Sequence, residues 1–257
     1  CEKIMSEMKK PNFSIDLTGQ VALVTGATSG LGKRFAQLLA LCGAKVALTG
    51  RRFDRLEALA ADIREAGGEC EPIALDMTNR ESIRAAVDQA EQALGTVTIL
   101  VNNAGVPDAK YAVKMEDELV DRVFDTNLRG PWDLSCEVAR RLIDKNLPGR
   151  MVNISSVGAF LYAGNGAALY STTKAAIVRM TETLAVEWSR FHINVNAIAP
   201  GMFSSEMVDD MIGRVGEVWK NFPRQRICVP EQLDSTLLFL VSPSSECVTG
   251  TCIKVDD

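Results

Sequence analysis

From Gln20 onward the chain alternates short apolar, β-branched runs with longer stretches in which apolar residues recur every three or four positions. The runs are 21–25, 45–49, 71–75, 98–102, 151–154, 193–197 and 252–255, and each predicts a strand. Helical spacing is plain over 53–66 and 80–94, and it predicts further helices over 33–41 and 170–189. Apolar strands that are buried on both faces, each followed by a helix, point to a parallel α/β sheet. No repeat, low-complexity stretch or Pro/Ser-rich linker divides it, so a single domain is expected over 17–257. Residues 1–16 are polar, read as a mobile tail, and lack the apolar core of a signal peptide. Residues 202–226 also break the rhythm, with Met202, Phe203, Met207, Met211, Ile212 and Trp219 set among charges. This amphipathic insertion predicts either a helix packed on the core or a mobile substrate lid at the C-terminal edge of the sheet.

Composition narrows the classes. A 257-residue chain with 47% hydrophobic residues can bury an ordinary core. The balance of 28 basic and 33 acidic side chains gives −5, which offers no field for nucleic acid or anionic lipid. No run reaches the ~20 apolar residues of a spanning helix. The seven cysteines include no C-x-x-C pair and suggest neither a disulfide framework nor a metal site, so a reducing cytoplasm is the expected setting. His192, the single histidine, has no ligand-spaced partner and reads as structural.

The first strand runs directly into Thr25-Gly26-Ala27-Thr28-Ser29-Gly30-Leu31-Gly32. Glycines there let backbone N–H groups approach an anion, and the helix start behind them adds partial positive charge. A P-loop would need Gly at Ala27 and Ser or Thr at Arg34; a G-x-G-x-x-G begun at Gly30 would place Phe35 at its third glycine. What remains is G-x-x-x-G-x-G. A dinucleotide site for NAD usually carries an acid after the second strand; here that place is Gly50, followed by Arg51 and Arg52. Arginine suits a 2′-phosphate, so NADP(H) is favoured, with NAD(H) still open. Asp54 is near enough to serve a ribose, but it also falls in the first turn of the next helix.

Tyr170 and Lys174 lie four apart, which stacks both on one helix face. A phenol is a poor acid–base group at neutral pH unless a nearby cation favours its phenolate, and Lys174 can supply that cation. Ser156, after the fifth strand, could hold a carbonyl oxygen while Tyr170 protonates it.

These segments together resemble the short-chain dehydrogenase/reductases, in their single-domain subgroup, from about Leu17 to Val255. The resemblance rests on Thr25-Gly26-x-x-x-Gly30-x-Gly32, Asp76, Asn102-Asn103-Ala104-Gly105, Asn127, Ser156, Tyr170-x-x-x-Lys174 and Pro200-Gly201. It implies an α/β fold: a Rossmann-like, doubly wound parallel sheet of about seven strands, with helices on both faces. It also implies a homo-oligomer, tetramer or dimer, although Val255-Asp256-Asp257 stands where the family often has Val-Asp-Gly-Gly. By resemblance, Tyr170 is the acid/base, and Lys174 lowers its pKa and binds the nicotinamide ribose. Ser156 rather than Ser155 orients the carbonyl, and Asn127 keeps a water in the proton relay. Cofactor contacts are implied for Gly26, Thr28, Ser29, Gly30, Leu31, Gly32, Arg51, Arg52, Asp76, Met77, Asn103, Ala104, Gly105, Tyr170, Lys174, Pro200, Gly201 and Ser205. Asp76 would touch adenine, or else serve the next helix's N-terminus; Ser205 would touch the carboxamide. No metal is implied. The expected activity is hydride transfer between a nicotinamide and a small-molecule carbonyl or alcohol. Pocket walls from 106–111, 158–167 and 202–226, with Phe160, Leu161, Met202, Phe203 and Met207, favour an apolar ketone or a 3-oxoacyl thioester, as in 3-oxoacyl-(acyl-carrier-protein) reductases. Sugar and sugar-acid (polyol) dehydrogenases share every motif. A non-catalytic dinucleotide-sensing protein is the alternative of another class, although Asn127, Ser156, Tyr170 and Lys174 are all present.

Overall fold

A computed structural model describes residues 15–162, 164 and 166–256; most of the expected N-terminal tail, residues 1–14, lies outside the described residues. The strands are β1 (Val21–Thr25), β2 (Lys45–Gly50), β3 (Cys70–Ala74), β4 (Ile99–Asn102), β5 (Gly149–Ile154), β6 (Ile193–Pro200) and β7 (Cys252–Val255). The helices are α1 (Gly30–Leu41), α2 (Phe53–Glu65), α3 (Arg80–Leu94), α4 (Asp117–Phe124), α5 (Gly130–Asp144), α6 (Ala168–Trp188), α7 (Glu206–Val215) and α8 (Asp234–Val241). The strands form one parallel sheet in the order β3-β2-β1-β4-β5-β6-β7. This is the Rossmann-like single domain that the apolar runs and the resemblance imply.

Alternation along each strand distributes side chains between two cores. Ala22 and Val24 of β1 face α1, α2 and α8, where Phe35, Leu39, Leu56 and Leu240 pack. Val21 and Leu23 face α3, α5 and α6, where Ile83, Leu134, Met180 and Leu184 pack. The sheet is therefore covered on both faces, and the open place left for a ligand is the C-terminal edge of the strands. The strand order reverses between β1 and β4, and a parallel α/β sheet binds ligands at such a switch point.

Boundaries differ from expectation where side chains rather than periodicity decide them. α1 begins at Gly30, inside the glycine segment, instead of at Lys33. β4 begins after Thr98, whose hydroxyl donates to Gln20 Oε1 at 2.9 Å and accepts from the Val21 N–H at 3.2 Å. β6 extends to Pro200, so that this residue and Gly201 sit at the sheet's edge. His192 occupies the left-handed region at φ +58 in the exposed turn before β6. Between α4 and α5 the chain winds through one π-helical turn, Asp125–Arg129, with Asn127 buried inside it. Such turns recur at functional sites because they re-aim a side chain within a continuing helix.

Candidate active site

The ends of β1, β4, β5 and β6 open into one cavity of about 580 Å³. Its lining includes Gly26, Thr28, Ser29, Gly30, Leu31, Arg51, Arg52, Asp76, Met77, Asn103, Ala104, Gly105, Ser156, Tyr170, Lys174, Pro200, Gly201 and Ser205. The structure therefore brings the expected cofactor residues to one groove, apart from Gly32, which acts from behind it.

Gly32 explains why the loop needs its last glycine. A Cβ there would stand 2.3 Å from Gly26 O and 2.4 Å from Asn103 Nδ2. Gly26 and Gly30 have φ of +68 and +53, which other residues rarely adopt. Thr25 ties this loop to the end of β4. Its hydroxyl donates to Val101 O at 3.3 Å and accepts from the N–H groups of Asn103 and Ala104, both at 2.9 Å. Asn103 Nδ2 donates back to Thr25 O at 2.9 Å. Ser29 is the N-cap of α1 but makes no side-chain capping bond, and no acid occupies the helix's first turn. The helix thus presents uncapped N–H groups and its positive end to the groove, a fit for the pyrophosphate of a dinucleotide.

At the other end of the groove, α6 carries Tyr170 and Lys174. Lys174 is 4% exposed, and its Nζ donates to Ile154 O at 2.8 Å and stands 5.5 Å from the Tyr170 ring centroid. Burial brings the lysine down to about 8. Burial raises the Tyr170 pKa, a hydrogen bond with Ser156 lowers it, and the nearby Asp108 charge raises it, with a net upward shift. A phenol held protonated is poised to donate a proton to a carbonyl oxygen.

Ser156 and Ser155 diverge. The Ser156 hydroxyl meets Tyr170 and also accepts from the Gly158 N–H at 3.1 Å. Ser155 is buried with its hydroxyl donating to Lys174 O at 2.8 Å, where it braces α6 against β5. Asn127 pairs with both main-chain groups of Val106, accepting from N–H at 2.8 Å and donating to O at 2.9 Å, and reaches Thr173 Oγ1 at 3.3 Å. Its amide thus fixes the loop after β4. A Cβ at Gly105 would stand 3.5 Å from both Asn127 Oδ1 and Lys174 Nζ, which shows how closely these groups gather.

Asp108 escaped the sequence reading. It is 3% exposed, accepts from the N–H groups of Leu169 (2.9 Å) and Tyr170 (3.1 Å), and so caps the catalytic-helix start from 61 residues away. Its other oxygen accepts from the Ala109 N–H at 2.8 Å. The available signal was an acid in the segment after Asn102-Asn103-Ala104-Gly105, but a cap contributed by a distant segment leaves no local pattern.

Two expectations need correction, and a third is settled. Asp76 does not cap α3; Asn79 does, accepting from Glu81 and Ser82 N–H groups. Asp76 Oδ1 instead accepts from Thr78 N and Thr78 Oγ1, bracing the turn while the residue lines the groove. Asp54 lies exposed in the first turn of α2, as the helix pattern over 53–66 anticipated, and does not line the groove. Of the expected apolar wall, Phe203 and Met207 line the cavity with Val106 and Pro107, but Phe160, Leu161 and Met202 do not. Phe160 lies under Lys254 Nζ at 4.1 Å, and Leu161 is 70% exposed.

The insertion forms the outer wall through α7, none of whose residues is fully buried. Ser205 caps α7, accepting from the Val208 N–H at 3.3 Å, and its Cβ would be 3.1 Å from a Cβ on Gly30. Among the described residues, no group of three or more His, Cys, Asp or Glu is placed to hold a metal ion, no disulfide joins the six cysteines, and no helix is long and apolar enough to cross a membrane.

Known proteins share this arrangement across almost the whole chain. The family model for short chain dehydrogenase matches residues 20–213. The 3-oxoacyl-[acyl-carrier-protein] reductase FabG of Thermotoga maritima is 34% identical over 241 residues, 93% of this chain and 97% of its own. Oxidoreductase UcpA of Escherichia coli K12 is 34% identical over 249 residues, 93% and 94% of the two chains. A Mycobacterium marinum short-chain type dehydrogenase/reductase superimposes with a TM-score of 0.90 at 33% identity, covering 94% of this chain and 96% of the other. A Beutenbergia cavernae structure, provisionally described as an NAD(P)-dependent gluconate 5-dehydrogenase and holding NADP at low occupancy, gives 0.87 at 31% identity, covering 94% and 97%. With the loop, the Tyr170–Lys174 face and the sheet order in place, the chain belongs to the short-chain dehydrogenase family of oxidoreductases.

Proposed function

We propose that this protein is an NADP(H)-dependent oxidoreductase that interconverts a carbonyl and a secondary alcohol on an apolar substrate, with a 3-oxoacyl thioester as the first choice. The observation that carries the cofactor reading is Arg51: exposed on the groove, unpaired among the described residues, and next to Gly50 where a ribose-binding acid would stand. A guanidinium without a competing carboxylate on its own loop favours a 2′-phosphate. The reading of the substrate is supported by Val106, Pro107, Phe203 and Met207 on the wall, and by the reductase named among the relatives.

When bound, a nicotinamide supplies or accepts the hydride. The chain's own residues do the rest. Ser156 Oγ orients the substrate oxygen, and Tyr170 Oη, kept protonated by burial, delivers the proton to it during reduction. Lys174 Nζ, steadied by Ile154 O, holds positive charge beside the phenol as it loses that proton. Asn127 keeps the Val106 backbone, and with it the wall, in register.

A sugar-acid dehydrogenase is the second reading, supported by the gluconate dehydrogenases described among structural neighbours. A soluble cytoplasmic homo-oligomer, with 202–226 acting as a lid, completes the proposal. Exposed Phe124, Trp132 and Val186 support the assembly. Consumption of NADPH and NADH, assayed in parallel against an acetoacetyl thioester, apolar ketones and sugar acids, tests both readings. Turnover of the thioester with NADPH is expected; turnover confined to sugar acids would overturn the substrate, and turnover confined to NADH the cofactor.

A further inference from the structure

The exposed end of the groove holds a charge cluster that the proton chemistry does not use. Arg52, the residue before α2, donates through Nε and Nη2 to Thr28 Oγ1 at 3.2 and 2.7 Å, and through Nη2 to Ser29 Oγ at 2.9 Å. Its remaining arm, Nη1, reaches across the groove to Glu206 Oε2 at 2.9 Å. The other carboxylate oxygen of Glu206 accepts from Arg55 Nη1. Glu206 stands in the first turn of α7, next to Ser205, which lies against Gly30. One carboxylate therefore ties the insertion to the corner where β2 meets α2, 154 residues away in sequence.

We infer that Glu206 is a specificity-determining residue for the dinucleotide: seated on Arg52 and Arg55, its carboxylate denies Arg52 to a 2′-phosphate while offering an acceptor to a free ribose hydroxyl. This rests on the reading that the groove takes a nicotinamide dinucleotide with its adenosine ribose at the end of β2. The second strand ends in Gly50 rather than in an acid, but α7 delivers an acid to the same corner from the opposite wall. A phosphate monoester arriving there meets Arg51 free and Arg52 already engaged, with a like charge beside it. NADP(H) gains Arg52 only when Glu206 turns away, so cofactor choice and the placement of α7 are coupled.

Two physical points support exchange of this kind. The pairing from Arg55, then Arg52, holds the Glu206 carboxyl down to about 2, so it stays ionised through any working pH and protonation does not release it. The three side chains are 41%, 44% and 52% exposed, so water and salt screen the pairs and a competing anion can displace them.

The test is the dissociation constants of NADPH and NADH, from nicotinamide fluorescence at low ionic strength, for the wild-type protein, Glu206→Gln and Asp209→Asn. Asp209→Asn removes the same charge from α7 without touching Arg52. Glu206→Gln is expected to shift the NADPH/NADH affinity ratio toward NADPH by about three- to fivefold, the scale of one exposed ion pair, and Asp209→Asn to leave it near the wild-type value. An unmoved ratio in Glu206→Gln overturns the inference, as does an equal shift in Asp209→Asn. The outcome is separable from the cofactor reading itself. A wild-type protein that binds NADH more tightly overturns the NADP(H) proposal, yet a shift toward NADPH in Glu206→Gln still upholds the role of Glu206.

Discussion

Around Tyr170 the supporting side chains are buried: Lys174 is 4% exposed, Asn127 1% and Ser155 3%, and each is fixed by hydrogen bonds to main chain. Around Arg51 and Arg52 the groove is open, and charged side chains from two walls hold one another through ion pairs in water. Proton transfer needs a fixed geometry and a tuned pKa, which burial and neutral main-chain partners supply. Selecting between two soluble cofactors needs only a modest free-energy difference, and exposed charges supply that much. The buried end is thus rigid by construction, and the open end is adjustable.

The largest effect is expected at the buried end. Tyr170→Phe keeps the ring and removes the proton donor. Turnover should fall by on the order of 10²–10⁴-fold, with dinucleotide affinity close to wild type in a fluorescence titration. Turnover that survives would break the assignment of Tyr170 as acid/base.

Asp108 sharpens the comparison next. Asp108→Ala leaves the N–H groups of Ala109, Leu169 and Tyr170 without their acceptor, at a cost of roughly 1–3 kcal/mol in denaturant unfolding. Asp108→Asn keeps an acceptor and should recover part of that stability, but it removes a negative charge that raises Tyr170. The sign follows directly. Reduction needs the protonated phenol, so its pH profile falls as pH rises through the Tyr170 pKa; with that pKa lowered, the fall moves to lower pH in Asp108→Asn. A profile that stays in place would limit Asp108 to starting the helix.

The smallest effect belongs to the open end. Arg51→Ala should weaken NADPH by roughly fivefold and NADH scarcely at all, and the NADPH affinity of the variant should depend less on salt. Equal losses for both cofactors would break the reading of Arg51 as a phosphate partner.

Much of this architecture could be read from the linear chain, because local pattern creates it. Continuous apolar runs gave the strands and three-to-four spacing gave α2 and α3, to within a residue or two at their ends. Thr25 to Gly32 announced the loop because close backbone approach admits little besides glycine, as the 2.3 Å approach at Gly32 shows. The helical spacing of Tyr170 and Lys174 gained its weight from the family motifs around it. The π-helical turn around Asn127 was not readable, since nothing in Asp125-Thr126-Asn127 departs from an ordinary helical sequence. The expected apolar wall was only partly right, because lying in the same segment does not say which way Phe160 or Leu161 turns.

The sequence by itself thus determined the fold class, the phosphate loop and the Tyr170–Lys174 face, all of which arise from contacts between residues a few positions apart. Tertiary structure alone decided that Asp108 caps α6, that Asn127 pins Val106, that burial raises the Tyr170 pKa, and that Glu206 occupies Arg52. These depend on partners 21 to 154 residues apart, or on exclusion of solvent. Both come into being only when the sheet edge closes, so no local pattern records them.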